Sequence, residues 1–73
     1  MALVTMYTTR WCPYCVAARE LLERLGVDYE DINVGSDRAL RAEMETRAGR
    51  YTVPQIWIGS RHIGGFDDMN ELH

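Results

Sequence analysis

Two cysteines, Cys12 and Cys15, are separated by two residues and are the only cysteines among the 73 residues of the chain. A short apolar segment that ends at Tyr7 predicts a strand before them, and residues Pro13 to Leu25 predict a helix that begins at the pair. Cys12 thus falls where unpaired N–H groups and the helix dipole favour a thiolate, the nucleophilic form. Cys15, one turn on, can close a disulfide with it. Such a short loop adds little stability, so the spacing predicts redox chemistry.

Two other uses of a cysteine pair fit the sequence less well. A structural zinc site needs four ligands, usually from two pairs, and the other candidates, His62 and His73, are eleven residues apart, outside the usual finger spacing. The second alternative is a pair of unreactive buried thiols. The predicted position of the pair at a helix start argues against it, because that position is typical of reactive cysteines. We therefore predict no metal site and no tightly bound cofactor.

The composition limits the protein class. A chain of 73 residues with 47% apolar residues predicts one small domain, residues 1–73, with one modest core. The net charge is −3 without a basic tract, which argues against nucleic-acid binding. No stretch is long enough to span a membrane, and the N-terminus lacks the basic region of a signal peptide. We expect a cytoplasmic protein, and in a reducing cytosol such a pair is catalytic more often than structural.

The elements that position the cysteines alternate between strand and helix. Gly26 and Gly49 predict the ends of two helices, Ser36 or Asp37 predicts a cap, and Gly59-Ser60 predicts a hairpin turn. The apolar stripes of the two helices are Ala18, Leu21, Leu22 and Leu25, then Leu40, Met44 and Ala48. The predicted elements are strand Ala2–Tyr7, helix Pro13–Leu25, strand Val27–Ile32, helix Asp37–Ala48, strand Gln55–Ile58, strand Arg61–Ile63 and helix Phe66–His73. This βαβαββα order predicts an α/β domain with helices on a four-stranded mixed sheet.

The sequence resembles the dithiol glutaredoxins, above all the small bacterial ones. Three motifs carry the resemblance in order and with matching spacing: Cys12-Pro13-Tyr14-Cys15, Thr52-Val53-Pro54-Gln55 and Gly64-Gly65-Phe66-Asp67-Asp68. The resemblance covers essentially the whole chain. It implies a thioredoxin-like fold and a glutathione-dependent disulfide oxidoreductase.

The resemblance also implies roles for individual residues. Cys12 would be the nucleophile and Cys15 the resolving thiol. The Val53–Pro54 peptide bond would be cis, and the Val53 backbone would pair with the glutathione backbone. The remaining residues that it implies for glutathione contact are Tyr14, Thr52, Pro54, Gly65, Phe66 and Asp67. Asp67 suits the γ-glutamyl ammonium group, although helix capping by Asp67 or Asp68 is an equally simple role.

Three positions near these motifs carry less specific signals. Many family members have a lysine where Thr9 stands, so the neighbouring Arg10 is our candidate for favouring the Cys12 thiolate and contacting a glutathione carboxylate. Arg41 lies where the family often contacts the glycine carboxylate of glutathione. Solvated surface charge is the alternative for both arginines. Trp11 is either a contact for partner proteins or an ordinary exposed aromatic residue.

The final helix is shorter than the family usually carries, because only Met69 to His73 follow the third motif. A truncated helix would leave apolar surface exposed on the sheet and at Leu72. We therefore expect lower stability and a monomer in dilute solution, with dimerisation through that surface as the alternative.

The resulting functional prediction is reduction of protein disulfides and glutathionylated thiols, with glutathione as the co-substrate. Two alternatives remain: a thioredoxin-like protein served by a flavoprotein reductase, and a module that binds a [2Fe–2S] cluster through Cys12 and glutathione. The Gly-Gly-Phe-Asp-Asp segment argues against the first, because that partner needs no γ-glutamyl site. Pro13 argues against the second, since cluster-binding relatives usually lack it.

Overall fold

The computed structural model describes residues 3–72. Within that range the elements follow the predicted order of strand, helix, strand, helix, strand, strand and helix. They are β1 (Val4–Thr8), α1 (Pro13–Arg24), β2 (Tyr29–Asn33), α2 (Arg38–Ala48), β3 (Gln55–Ile58), β4 (Arg61–Gly64) and α3 (Phe66–Leu72).

The four strands form one mixed sheet in the order β2-β1-β3-β4. β1 runs parallel to β2 and antiparallel to β3, and β3 is antiparallel to β4. Tyr7 at the end of β1 is opposite Gln55 at the start of β3, and Gly64 at the end of β4 is opposite Ile56. The segments that follow β1, precede β3 and follow β4 therefore meet at one edge of the sheet.

Alternating side chains on the two central strands build two cores, one on each face of the sheet. Met6 and Ile56 point to the face covered by α1 and α3, while Tyr7 and Trp57 point to the face covered by α2. The first core contains Val4, Met6, Ala18, Leu21, Leu22, Ile56 and Met69. The second contains Tyr7, Val34, Met44 and Trp57, with Leu40 and Ala48 packed against them, which confirms the predicted stripe of α2.

The helix boundaries follow the predicted caps. Cys12 is the extended N-cap of α1, and Pro13 occupies the first helical position. The Asp37 side chain accepts a hydrogen bond from the Leu40 N–H at the start of α2, over 3.0 Å. Gly49 ends α2 with φ +69°, a left-handed conformation that favours glycine.

Several predicted boundaries were wrong by one or two residues. β2 begins at Tyr29 rather than Val27, because the Val27 N–H donates to the Leu22 carbonyl at the end of α1 and so cannot join the sheet. α2 begins at Arg38, since Asp37 is its cap. β1 continues to Thr8, which pairs with Asn33 of β2, and β4 continues to Gly64, which pairs with Ile56. The predicted ends at residues 1, 2 and 73 lie outside the described residues.

Leu25 departs from the predicted stripe of α1. It is the cap residue after α1 and is half exposed, beside an open apolar cleft that Leu72 also lines. Within the described residues, α3 comprises Phe66–Leu72. Across residues 3–72, the structure contains no helix with the length and apolar character needed to cross a membrane.

Candidate active site

The site lies at the sheet edge where the three motif-bearing segments meet. Cys12 occupies the turn between β1 and α1 and retains only 9% of its surface exposed. Its Sγ atom accepts a hydrogen bond from the backbone N–H of Cys15 over 3.1 Å. An N-cap side chain normally satisfies one of the free N–H groups of the first turn, and here a sulfur takes that role. The Cys12 Sγ atom thus lies at the start of the helix, with the N–H of the following turn directed at it.

Cys15 has a different environment although it is only one turn away. It has no exposed surface. Burial, followed by the hydrogen bond with the Cys12 side chain, raises the pKa of the Cys15 thiol to about 12. Both cysteines are free thiols in the structure. The pair is therefore asymmetric: Cys12 lies at the helix start with part of its surface exposed, whereas Cys15 is a fully buried, protonated thiol.

A polar cluster beside Cys15 ties α1 to the two parallel strands. The Arg19 guanidinium donates to the Asp31 carboxylate over 2.6 Å and to the Thr8 hydroxyl over 3.1 Å. The Thr8 hydroxyl in turn donates to Asp31 over 2.6 Å. The positive charge of Arg19 acts to lower the pKa of Cys15, but the burial of that thiol outweighs it. The cluster was not predicted from the sequence, because it joins residues 23 positions apart.

The Val53–Pro54 peptide bond is cis, as the resemblance implied. The Val53 carbonyl faces the active cysteine, and the Cys12 thiol donates to it with 3.6 Å between sulfur and oxygen. The segment before β3 thus brings a backbone group beside the nucleophile, 41 positions away in sequence.

An open cleft of about 330 Å³ extends along this segment to the start of α3. Its lining combines backbone, aromatic and charged groups. The lining residues are Tyr14, Arg50, Thr52, Val53, Pro54, Gly65, Phe66, Asp67 and Asp68. Cys12 lies beside the cleft, because Val53 lines the cleft and its carbonyl accepts from the Cys12 thiol.

Arg50 and Asp68 hold the far side of the cleft together, and the sequence analysis assigned no ligand contact to either. The Arg50 guanidinium donates to the Asp68 carboxylate over 3.1 Å, and the same oxygen accepts from the Gly65 N–H over 2.9 Å. These two hydrogen bonds, the one from Gly65 first, lower the pKa of Asp68. In a capping box, the side chain of the third helical residue accepts from the N–H of the residue before the helix. Asp68 and Gly65 have this spacing, so the sequence did contain a signal for their contact.

Comparison with known proteins identifies the family. The glutaredoxin family model matches residues 4–63. The chain belongs to the glutaredoxin family. It is 53% identical over 72 residues to a glutaredoxin of Pseudomonas aeruginosa, covering 99% of this chain and 86% of that protein. It is 47% identical over 72 residues to glutaredoxin 3 of Escherichia coli, covering 99% of this chain and 87% of that protein.

Solved glutaredoxin structures have the same fold. The solution structure of a Brucella melitensis glutaredoxin superposes with a TM-score of 0.86 at 49% identity, over 99% of this chain and 78% of that one. The crystal structure of a buckwheat glutaredoxin–glutathione complex superposes with a TM-score of 0.90 at 33% identity, over 99% and 68%. The fold is therefore thioredoxin-like, and the chain is a redox protein with the cysteine pair of a dithiol glutaredoxin.

Seven of the nine glutaredoxin ligand positions that the sequence suggested lie together in the cleft, namely Tyr14, Thr52, Val53, Pro54, Gly65, Phe66 and Asp67. The other two, Arg10 and Arg41, are outside its lining. The Arg10 guanidinium lies 5.1 Å from the centre of the Trp11 ring. Arg41 contacts Glu45 over 3.1 Å and donates to the Tyr51 carbonyl over 2.6 Å. Glutathione contact by any of the nine residues stays a prediction.

Of the two carboxylates that line the cleft, only that of Asp67 is without a hydrogen bond to the described residues. Asp68 is held by Gly65 and Arg50, whereas Asp67 has no hydrogen-bond partner among residues 3–72. The same part of the chain contains no group of three or more His, Cys, Asp or Glu side chains placed to hold a metal ion.

Proposed function

We propose that the chain is a glutathione-dependent thiol–disulfide oxidoreductase that reduces protein disulfides and glutathionylated thiols. The observation that carries the proposal is the contact between Cys12 and the Val53 carbonyl, because it joins the nucleophile to a cleft sized for a small peptide. The likeness to the buckwheat glutaredoxin–glutathione complex supports the same ligand.

The chemistry of the cleft matches the groups of glutathione. Glutathione is a tripeptide with a carboxylate at each end, an ammonium group on its γ-glutamyl residue and a thiol at its centre. In the proposed complex the Val53 backbone pairs with the central cysteine residue and places its sulfur at Cys12. Asp67 then faces the ammonium group, and Arg50 supplies a cation for a carboxylate. Tyr14 and Phe66 flank the bound peptide.

The proposed reaction with a glutathionylated protein has two exchanges. The Cys12 thiolate attacks the glutathione sulfur of the mixed disulfide, that disulfide breaks, and the protein thiolate leaves and takes up a proton. A second glutathione, as its thiolate, then attacks the glutathione sulfur held on Cys12. Oxidised glutathione departs, and the Cys12 thiolate is restored.

With a protein disulfide, Cys15 resolves the intermediate. The Cys12 thiolate attacks one sulfur of the substrate disulfide, the substrate S–S bond breaks, and the other sulfur leaves as a thiolate that takes up a proton. A mixed disulfide between Cys12 and the protein remains. Cys15 loses its proton and attacks Cys12, which closes the Cys12–Cys15 disulfide and releases the second substrate thiol. Two glutathione molecules reduce this disulfide and become oxidised glutathione. The contact between the Cys15 N–H and the Cys12 Sγ atom, one turn apart on the helix, supports this step.

No feature of the described residues favours a reductase-served thioredoxin or a [2Fe–2S] module over this activity. Cytoplasmic localisation remains a proposal, and it is consistent with an activity that depends on a pool of reduced glutathione.

The deciding experiment is the intact mass of the Cys15→Ser variant after exposure to oxidised glutathione at neutral pH. A single glutathione adduct is expected, and it should be absent when Cys12 is also replaced by serine. The rate should exceed that with hydroxyethyl disulfide at the same concentration, because only glutathione can use the cleft. No adduct would refute the glutathione site. An adduct that forms at the same rate with both disulfides would also refute the site, although Cys12 would still be a thiol nucleophile.

A further inference from the structure

A chain of side-chain hydrogen bonds runs from β4 to the segment that carries Val53. Gln55, the first residue of β3, has no exposed surface. Its amide nitrogen donates to the Thr52 carbonyl over 2.9 Å and to the Thr52 hydroxyl over 3.1 Å. Its amide oxygen lies 2.7 Å from Nε2 of His62. Gln55 therefore bridges β4 and the residue that precedes Val53.

The chemistry of the partners fixes the direction of each hydrogen bond. The Gln55 amide oxygen only accepts, so Nε2 of His62 carries the proton. If the amide were reversed, its oxygen would face the Thr52 carbonyl, and its NH₂ group would face the N–H of His62. The Thr52 carbonyl, which can only accept, thus fixes the orientation of the Gln55 amide, and His62 anchors that amide to β4 by donating from Nε2 to its oxygen.

The His62 ring is itself held in place by packing. It lies against the Trp57 ring, with 4.6 Å between the ring centres, and Trp57 is buried in the second core. Burial is the main cause that lowers the pKa of His62, and the positive charges of Arg50 and Arg47 lower it further. The negative charge of Asp68 acts in the opposite direction and raises it. The ring is thus a neutral imidazole with a single proton, on Nε2, at neutral pH.

Thr52 and Val53 are where this chain of hydrogen bonds reaches the active site. Both line the cleft, and the Val53 carbonyl accepts from Cys12. We propose that His62 and Gln55 are positioning residues that hold Thr52 and Val53 in the geometry that binds glutathione at Cys12. The part of this inference that concerns glutathione rests on the proposed function.

The variant His62→Phe tests this role. Phenylalanine keeps a ring against Trp57 but cannot donate to Gln55, so the buried amide oxygen loses its hydrogen bond to β4. We expect KM for glutathione to rise about 3- to 10-fold, the size expected for one neutral hydrogen bond, with kcat changed less than 2-fold.

The matched control is Tyr7→Phe. The Tyr7 ring packs on the other side of the same cluster, 5.3 Å from Trp57, and its hydroxyl accepts from Arg47 over 3.1 Å. This variant also removes one hydrogen bond near Trp57 but leaves the chain to Thr52 intact. KM should stay within 2-fold of the wild-type value. Equal KM changes in the two variants, at equal losses of stability, would overturn the proposal.

Two NMR measurements on the glutathione-free protein decide the structural part separately. The ¹⁵N shifts of the wild-type His62 ring should show the Nε2–H tautomer, and an Nδ1–H tautomer would overturn the proposal. The backbone amide resonances of Thr52 and Val53 should move more in His62→Phe than in Tyr7→Phe. If the wild-type protein shows no glutathione-dependent turnover, the proposed function fails, while these two measurements still decide whether His62 positions Thr52 and Val53.

Discussion

The backbone N–H of Cys15 donates a hydrogen bond to the Sγ atom of Cys12 over 3.1 Å. The same residue thus directs its N–H at the first sulfur and supplies a second thiol. The two roles are compatible because Cys15 is fully buried, so its own side chain stays protonated while its N–H faces Cys12. One turn of helix therefore separates the Cys12 sulfur at the helix start from the buried, protonated Cys15 thiol.

The first prediction concerns the reactivity of Cys15. With a pKa of about 12, its thiol is ionised in only about one molecule in ten thousand at pH 8. In the Cys12→Ser variant, where burial still acts on Cys15, iodoacetamide should label this cysteine about 100-fold or more slowly than a free cysteine at pH 8. Mass spectrometry of timed samples measures the rate.

The control for this experiment is the Cys15→Ser variant, which retains only Cys12. It should be labelled much faster than Cys12→Ser under the same conditions. Labelling of Cys15 at the rate of a free thiol would contradict the asymmetry between the two cysteines.

The second prediction concerns stability in acid. The pKa of Asp68 is lowered by the Gly65 N–H and by Arg50, so its charged form is favoured in the folded protein. The stabilisation is therefore present above the ordinary pKa of about 3.8 and is lost as the pH falls through the lower, folded-state value. Urea unfolding of the wild type should show a larger loss of stability between pH 5 and pH 2.5 than unfolding of Asp68→Asn.

Asp67→Asn is the matched control, because Asp67 is adjacent but has no hydrogen-bond partner among the described residues. Its acid dependence should equal that of the wild type. If Asp68→Asn also retains the full wild-type dependence, then the contacts with Gly65 and Arg50 do not stabilise the fold.

The features that the sequence predicted well are those encoded in neighbouring residues. Periodicity and caps predicted the type and order of every element, and the stripe of Leu40, Met44 and Ala48 does pack on the sheet. The start of β2 was missed because it depends on a hydrogen bond from Val27 back to Leu22. That bond is part of the helix-ending motif that a left-handed glycine makes, so Gly26 was the local signal that Val27 does not join β2.

The candidate site was predictable only where motif residues line it. Tyr14, Val53 and Phe66 belong to three motifs and share one cleft. By contrast, the contact of Arg50 with Asp68 spans 18 positions, and the sequence alone gives no partner for either side chain. Arg10 and Arg41 were assigned from their positions along the chain, whereas their placement depends on contacts with Trp11, Glu45 and Tyr51.

The third prediction concerns self-association. An apolar surface runs from the end of α1 to the end of α3, with exposed side chains at Leu25, Val27, Ile58 and Leu72. We expect a monomer in dilute solution and a dimer at high concentration, because contact would bury this surface. Size-exclusion chromatography with light scattering measures both states.

Leu72→Glu should keep the protein monomeric at the higher concentration, since the charge would be buried at the contact. Val16→Glu is the control, because Val16 is an exposed apolar residue of α1 that does not line this surface. A strictly monomeric wild-type protein at high concentration would contradict the dimer.

The last prediction concerns Gly64, which has a φ of +122°, a conformation that side chains rarely adopt. A Cβ atom here would also overlap the Asp68 carboxylate, which binds Gly65 and Arg50. Gly64→Ala should therefore lower the free energy of unfolding by about 2 to 3 kcal/mol. It should also slow glutathione adduct formation at Cys12, because Asp68 lines the cleft. Gly49→Ala provides the comparison: its φ is +69° with no atom within 4 Å of the added carbon, so about 1 kcal/mol is expected with an unchanged adduct rate. Equal effects of the two substitutions on adduct formation would show that the Asp68 contact does not shape the cleft.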